Sequence, residues 1–285
     1  MRTRTMLAAG LTALAVAVSG LSFVVGNSPD ATAAAAGLWK IDCGYSHSLP
    51  DDPIVHPGRP GASHLHDFFG NVGANASSTY ASLKGVTSTC ANNDRAAYWA
   101  PAVYQNGKKI NPTGAIIYYT TSAGAPDKQE SFPPDMRIIL GNPRATTAAQ
   151  QQGQIEWGCS DNTQIGRTVP ARCASGHIQV RMRFPACWNG VTVQGDAAAN
   201  LRYPSRGTCP KGFPRALPTM RLNIGYKVGT TTGALTLSSG SVYSIHADFL
   251  NSWDQPTLDA LVKRCFHGQQ NCGRFRGTSP GRAAA

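Results

Sequence analysis

The sequence lacks the short motifs that identify many extracellular enzymes. The predicted secreted domain, residues 37–275, has no G-x-S-x-G nucleophile elbow and no H-E-x-x-H helix motif, which argues against the corresponding serine hydrolases and zinc proteases. No C-x-x-C pair occurs, so cysteine-ligated zinc is disfavoured. No repeat of fixed period is present, so solenoids and propellers are disfavoured as well.

Acidic residues are also scarce, at 15 Asp and Glu against 26 Lys and Arg, for a formal charge of +11. The basic residues are scattered and do not form a nucleic-acid-binding module, so we expect no nucleic-acid partner. An anionic cell-wall polymer or other polysaccharide is the expected partner. Solubility alone is the simpler explanation of the charge.

The only long apolar run begins the chain. A basic start, Met1–Arg4, precedes apolar residues from Met6 to Val25 and small residues after Ala31. This layout predicts a signal peptide over residues 1–36 and a secreted, extracellular protein. No later stretch approaches the ~20 apolar residues of a membrane span. We expect a monomer with one secreted domain over 37–275 and a disordered tail over 276–285.

All eight cysteines follow the predicted signal peptide, and their even number predicts four disulfides in an oxidising compartment. Eight cysteines allow 105 pairings. Local spacing suggests Cys43–Cys90, Cys159–Cys173, Cys187–Cys209 and Cys265–Cys272.

Alternating apolar and polar residues over His177–Phe184 and Thr219–Val228 predict half-buried strands. With 30 glycines and 19 prolines, the chain is typical of many short strands and turns. We therefore predict an all-β fold, a β-rich sandwich or jelly-roll-like, with a short helix after Asp254. Asn106-Gly107 predicts a hairpin turn, and Pro101 predicts that its strand lies at a sheet edge.

Histidine and aspartate concentrate in Ser63–Asn71, which reads S-H-L-H-D-F-F-G-N. In an extended segment His64 and His66 share one face, about 6.6 Å apart at the backbone. That spacing suits two ligands of one metal or a pocket wall. The alternative is a His-Asp network that only orders a loop.

A second stretch, Ser244–Asp254, repeats this chemistry with a His shortly before an Asp-Phe pair. Strand alternation places His246 and Asp248 together, off the buried face. Because isolated imidazoles and carboxylates are costly to bury, we predict that the two stretches meet, with side-chain atoms within about 8 Å. Phe68, Phe69 and Phe249 should pack beneath them. Two independent loop-ordering pairs are the alternative.

Several further stretches, in a fixed order, carry a resemblance to a known family. They are S-H-x-H-x-F-F-G-N, Tyr98-Trp99-x-Pro101-x-x-Tyr104, Phe132-Pro133, Trp157-x-Cys159, Cys187-Trp188-Asn189-Gly190, Tyr203-Pro204 and His246-x-Asp248-Phe249. Over roughly Ile41 to Trp253 the chain resembles the secreted domain-of-unknown-function family nineteen-ninety-six. The resemblance implies an exported protein in a glycan context, by association only.

The chain departs from the family pattern in one stretch, Gln194–Arg202. Family members usually carry histidines there, whereas this chain has Asn200 near one such position and retains only Asp196 as an acid. If those histidines do the family's chemistry, activity is altered or lost here.

Three hypotheses of function follow. The first is a glycan-active hydrolase that uses carboxylates, with histidines as proton carriers and aromatic side chains as a sugar platform. Its catalytic candidates are His64, His66, Asp67, His246 and Asp248, with Asp196 as a further acid, and its substrate-binding candidates are Trp99, Tyr104, Trp188 and Trp253. The second is a divalent metal held by His64, His66 and His246. The third is a non-catalytic glycan or wall-binding protein.

Overall fold

A computed structural model of the chain describes residues 37–151, 153–194 and 200–277. Two sheets dominate it, and we number their strands in chain order. The six-stranded sheet has the order β17-β1-β7-β14-β10-β9 and the five-stranded sheet has the order β2-β3-β4-β16-β8. The strands of the first are β1 (Leu38–Cys43), β7 (Pro112–Thr120), β9 (Gln154–Cys159), β10 (His177–Arg183), β14 (Thr219–Lys227) and β17 (Asn271–Phe275). Those of the second are β2 (Tyr45–Leu49), β3 (His66–Gly70), β4 (Ala97–Pro101), β8 (Arg137–Gly141) and β16 (His246–Leu250).

The remaining elements are short. Two three-stranded sheets have the orders β12-β11-β13 and β15-β5-β6. Their strands are β5 (Val103–Gln105), β6 (Lys108–Ile110), β11 (Cys187–Trp188), β12 (Leu201–Arg202), β13 (Arg215–Ala216) and β15 (Leu235–Leu237). The helical segments are α1 (Tyr80–Leu83), α2 (Gln255–Leu261), a π-helix (Val262–His267) and 3₁₀ turns at Pro126–Lys128 and Val242–Ser244.

Sequence alternation accounts for the six-stranded sheet. In β14, Leu222 and Ile224 are fully buried, and Asn223 between them faces the other side. β10 runs antiparallel to β14 with Val180 opposite Ile224, so the apolar residues of both strands lie on one face. The predicted all-β fold is confirmed.

The main core lies between the two sheets. Trp39 stacks on Tyr119 with ring centroids 4.9 Å apart, and the Tyr119 hydroxyl lies 2.6 Å from that of Tyr98 in the five-stranded sheet. Phe249 contacts Tyr98 from the neighbouring strand. The other face of the five-stranded sheet has a smaller apolar cluster, which includes Phe68, Trp99 and Leu250. The candidate site lies on this outer face.

Two local predictions have opposite outcomes. Asn106 and Gly107 both adopt positive φ and join β5 to β6, as a type I′ hairpin turn requires. The edge-strand prediction is wrong, because β4 lies between β3 and β16. Pro101 is the last residue of β4, so its missing N–H does not interrupt the ladder.

The predicted C-terminal helix is present. Asp254 caps α2 by accepting from the Thr257 amide, Pro256 lies in the first turn, and the π-helix continues to His267. None of the helices in the described ranges is long and apolar enough to cross a membrane.

All four predicted disulfides are confirmed: Cys43–Cys90, Cys159–Cys173, Cys187–Cys209 and Cys265–Cys272. This chemistry is consistent with an oxidising compartment. The predicted signal peptide lies outside the described residues, as does the predicted tail apart from residues 276 and 277.

Candidate metal centre

Three histidines approach one another across the outer face of the five-stranded sheet. His66 begins β3 and pairs with Pro101 of β4. On the other side of β4, Asp248 pairs with Trp99, and the same antiparallel register brings His246 level with Pro101. The two imidazoles therefore extend towards each other over the end of β4. His64 precedes β3 by two residues and lies on the same side.

The ring nitrogens of these residues converge. His246 Nε2 lies 3.1 Å from His64 Nε2 and 3.3 Å from His66 Nε2. One nitrogen from each of the three rings lies within 4.8 Å of the other two. His66 and His246 are buried, whereas His64 is half-buried, so the cluster opens to solvent on the His64 side. The structure thus brings together the two stretches that the sequence predicted to meet.

The other ring nitrogens fix the tautomers of the two buried histidines. His66 Nδ1 lies 2.9 Å from the Asp51 carbonyl oxygen, and His246 Nδ1 lies 2.8 Å from the Ser244 carbonyl oxygen. A carbonyl oxygen only accepts, so each Nδ1 must carry a proton and donate it. In a neutral imidazole, Nε2 is then unprotonated and can only accept a hydrogen bond or bind a metal through its lone pair. The 3.3 Å contact between the two Nε2 atoms therefore brings two acceptors together, which favours a cation between them.

Burial favours the neutral form of all three imidazoles, which is the form that ligates metals. Burial lowers the pKa of His246 to about 3. Burial, together with the neighbouring His246 and His64, lowers the pKa of His66 well below its usual value. Burial also lowers the pKa of the half-buried His64, partly offset by Asp52.

The loop that covers this face is organised by Asp51 and Asp52. The Asp51 carboxylate accepts from the amides of Gly61 and Ala76, which leaves its backbone carbonyl oriented towards His66. Asp52 Oδ1 accepts from the amides of Ile54 and Val55. Both acids are buried. The sequence prediction missed them, because an Asp-Asp-Pro stretch in a Pro-rich loop is also typical of a simple turn.

Asp248 lies on the same face as His246, as strand alternation predicted. The expectation that this face is not buried is wrong, because every residue of β16 is buried. Its two oxygens are buried and find no hydrogen-bond donor among the described residues. Oxygens of Asp248 and Asp52 and a nitrogen of His66 lie within 4.8 Å of one another. Burial and the nearby Asp52 raise the pKa of Asp248 well above its usual value. A cation or a proton would stabilise this carboxylate.

Asp67, the fifth catalytic candidate, does not join the histidines. It lies between His66 and Phe68 in β3, so its side chain points to the opposite face of the sheet. There it lies 2.9 Å from Lys109 Nζ and accepts from the Ser48 hydroxyl. The prediction that Asp67 joins the histidines is wrong, because neighbouring residues of a strand point to opposite faces and Asp67 directly follows His66.

The predicted sugar platform is not supported at two of its four positions. Trp99 and Trp253 are fully buried, so neither offers a ring face to a sugar. Trp253 donates to the Tyr119 hydroxyl in the core, and Trp99 stacks on Phe68. Tyr104 in β5 and Trp188 in β11 are half-buried.

The predicted apolar floor is correct for Phe68 alone. The Phe68 ring lies 6.3 Å from the His66 ring on the outer face. Phe69 and Phe249 belong to the main core on the other side of the sheet. Each directly follows an outer-face residue, Phe68 or Asp248, and neighbouring residues of a strand point to opposite faces.

Asn200, in the stretch that departs from the family pattern, lies outside the histidine cluster. Asn200 is buried, and its side-chain amide donates to the Thr192 carbonyl oxygen. Asp196 is outside the described residues. Of the described residues in this stretch, none belongs to the group of three histidines.

The match to a family model is consistent with the sequence resemblance. Residues 52–253, more than half of the chain, match the family described as a domain of unknown function (DUF1996), and the chain belongs to that family. The matched segment includes all three histidines, Asp52 and Asp248. No curated protein and no solved structure matches the chain.

Proposed function

We propose that the chain is a metal-binding protein in which His64, His66 and His246 hold one divalent transition metal. The observation that carries the proposal is the pair of Nε2 contacts at 3.1 and 3.3 Å. Tetrahedral ligands about 2.0–2.1 Å from a zinc ion are roughly 3.3 Å apart, so both contacts match the spacing of two ligands of one ion, and the third pair of ring nitrogens lies within 4.8 Å. The Nδ1 contacts to backbone carbonyls are the outer-shell anchors that metal-bound histidines usually have.

A cation held by three imidazoles would supply a Lewis acid and an open position for water or substrate. The half-buried His64 leaves that position accessible from solvent. The geometry favours this chemistry over hydrolysis by the carboxylate pair Asp67 and Asp248, because those two side chains lie on opposite faces of the sheet.

The proposed substrate class is an extracellular polysaccharide or anionic wall polymer. Four disulfides support an oxidising, extracellular compartment. The charge of +11 supports attraction to an anionic polymer. With the metal centre, these observations suggest a secreted, metal-dependent hydrolase.

A cavity elsewhere supports a second candidate function, non-catalytic glycan binding. It has a volume of about 390 Å³ and lies on the outer face of the six-stranded sheet. Gln179, Asn223 and the Asp42–Arg274 ion pair line it. Amide and charged groups of this kind suit sugar hydroxyls. Loss of binding to insoluble wall polysaccharide in Asn223→Ala, with the histidines intact, would favour this function.

The metal content of purified protein tests the main proposal. After chelator treatment and reloading with Zn²⁺, we expect one zinc ion per wild-type chain and less than a tenth of that in His64→Ala, measured by inductively coupled plasma mass spectrometry. His177→Ala is the matched control, since its ring lies near the start of β10, away from the histidine cluster, and donates from Nδ1 to the Ser175 carbonyl oxygen. Equal zinc contents in wild type and His64→Ala would contradict the proposal.

Activity is tested on a panel of wall and environmental polysaccharides. We expect turnover by the zinc-loaded wild type that is lost on chelation, restored by zinc, and absent in His64→Ala. Turnover that withstands chelation would show that the reaction does not use this centre.

A further inference from the structure

Asp248 is the least satisfied buried group near the proposed metal centre. Its cross-strand neighbours are Trp99, which is buried, and Ile139, which is half-buried. Neither residue donates a hydrogen bond to the Asp248 carboxylate. Both carboxylate oxygens are buried without a donor in the described part of the chain. A buried carboxylate is costly unless it is paired, coordinates a metal or is neutralised by a proton.

A second carboxylate, that of Asp52, lies close to Asp248. The Asp52 carboxylate lies in the same cluster, and its Oδ1 is already engaged by two loop amides. The second oxygen of Asp52 and both oxygens of Asp248 remain for a ligand. Two carboxylates close together repel each other unless something positive lies between them.

We propose that a second divalent cation binds between the carboxylates of Asp52 and Asp248, next to the three-histidine site. The inference deepens the proposed function and rests on it for the first cation. Two groups of converging ligand atoms overlap here: the histidine cluster of His64, His66 and His246, and the acidic cluster of Asp52, His66 and Asp248. His66 belongs to both clusters, so the two cations would be neighbours. His64 belongs only to the histidine cluster, and the two acids belong only to the acidic cluster.

The two sites differ in the cation that they should prefer. Three imidazoles suit Zn²⁺, Cu²⁺ or Ni²⁺, whereas carboxylate oxygens suit Mn²⁺, Mg²⁺ or Ca²⁺. Adjacent cations can together hold an anionic group and stabilise the attacking and leaving oxygens of a displacement. A two-cation centre would therefore act on a substrate with an anionic ester, such as a phosphodiester in a wall polymer.

The division of residues between the clusters allows a direct test. The full chain and its variants are stripped, loaded with Zn²⁺ and Mn²⁺ together, desalted and analysed for both metals. We expect one zinc and one manganese ion per wild-type chain. Asp248→Asn should retain zinc and lose at least nine-tenths of the manganese, whereas His64→Ala should do the reverse.

Asp67→Asn is the matched control, because it removes a buried carboxylate from the opposite face of the same five-stranded sheet. It should retain both metals. Thermal melts of all variants monitor folding. A titration of zinc-loaded wild type with Mn²⁺, followed by electron paramagnetic resonance, measures the second site without any substitution, and should saturate at one bound ion.

The outcomes separate the two proposals. Zinc binding that depends on His64, with no manganese bound to the zinc-loaded wild type, would overturn the second site and leave the proposed function intact. Manganese binding that is unchanged in Asp248→Asn would also overturn the second site. A wild-type chain that binds neither metal would overturn both.

Discussion

At the scale of single residues, Asp94 is a second buried acid with an unusual environment. Its carboxylate accepts from the Tyr98 hydroxyl at 2.7 Å and from the Ala96 amide at 3.0 Å. The Tyr98 hydroxyl in turn contacts Tyr119, which accepts from Trp253. Burial raises the pKa of Asp94 to about 7, partly offset by the hydrogen bond from Tyr98.

This environment predicts a stability that falls as the pH rises. The pKa of Asp94 is raised in the folded state, so the folded protein binds more protons than the unfolded chain between about pH 4 and 7. The free energy of unfolding should therefore decrease over that range, by on the order of 4 kcal/mol from this group. The lowered pKa of His246, at about 3, acts in the opposite direction, because its contribution is lost as the pH falls below about 6.5.

Urea denaturation at a series of pH values checks this prediction. Wild type should be most stable at an intermediate pH. Asp94→Asn should reduce the decrease above pH 5, part of which remains because the raised pKa of Asp248 acts in the same direction, and should leave the decrease at acid pH. An unchanged profile in the variant would show that Asp94 is not the group responsible.

At the scale of secondary-structure elements, strand alternation explains what the sequence could predict of the site. It placed His246 and Asp248 on one face correctly, and the same rule applied to β3 would have separated Asp67 from His66. Local sequence could not show that Asp52 joins Asp248, because the Asp51–Ala62 loop reaches that face only through long-range contacts such as His66 Nδ1 to Asp51. Nor could it tell a buried Trp99 from an exposed one.

The end of β3 depends on a glycine. Gly70 has φ +80°, and a Cβ there would overlap the Ala96 carbonyl oxygen. Gly107 has nearly the same φ, +78°, with nothing within 4 Å of its Cβ position. Gly107→Ala should cost about 1–2 kcal/mol from the left-handed conformation alone, and Gly70→Ala roughly 1–3 kcal/mol more from the overlap.

Chemical denaturation of both variants measures this difference. Because the two positions share their backbone conformation, the difference between them isolates the close approach of β3 to the residue before β4. Equal losses of stability would mean that the backbone near Ala96 moves aside at little cost.

At the scale of the whole molecule, the disulfides close loops of very different length. Cys43–Cys90 spans 47 residues and Cys265–Cys272 spans 7. If the bridges act mainly by restricting the unfolded chain, their contributions should be about 4 and about 2 kcal/mol, respectively.

Paired Cys→Ser variants test this ordering. We expect the Cys43/Cys90 pair to lower the denaturation midpoint more than the Cys265/Cys272 pair. Alkylation of the unreduced, denatured wild type should label no thiol, since no cysteine in the described residues is free. The reverse ordering of midpoints would show that strain or residual structure outweighs loop entropy.

The position of β1 has a consequence for how the chain folds as it is made. β1 lies between β7 and β17, and it pairs in parallel with β17, whose Arg274 bonds Asp42 across 232 residues of sequence. A nascent chain can form the β1–β7 pair early, but the other edge of β1 stays open until the last described strand emerges. Open strand edges invite pairing between chains. Ribosome stalling or proteolysis between residues 246 and 271 should therefore produce aggregation-prone chains, even though these chains contain all three histidines.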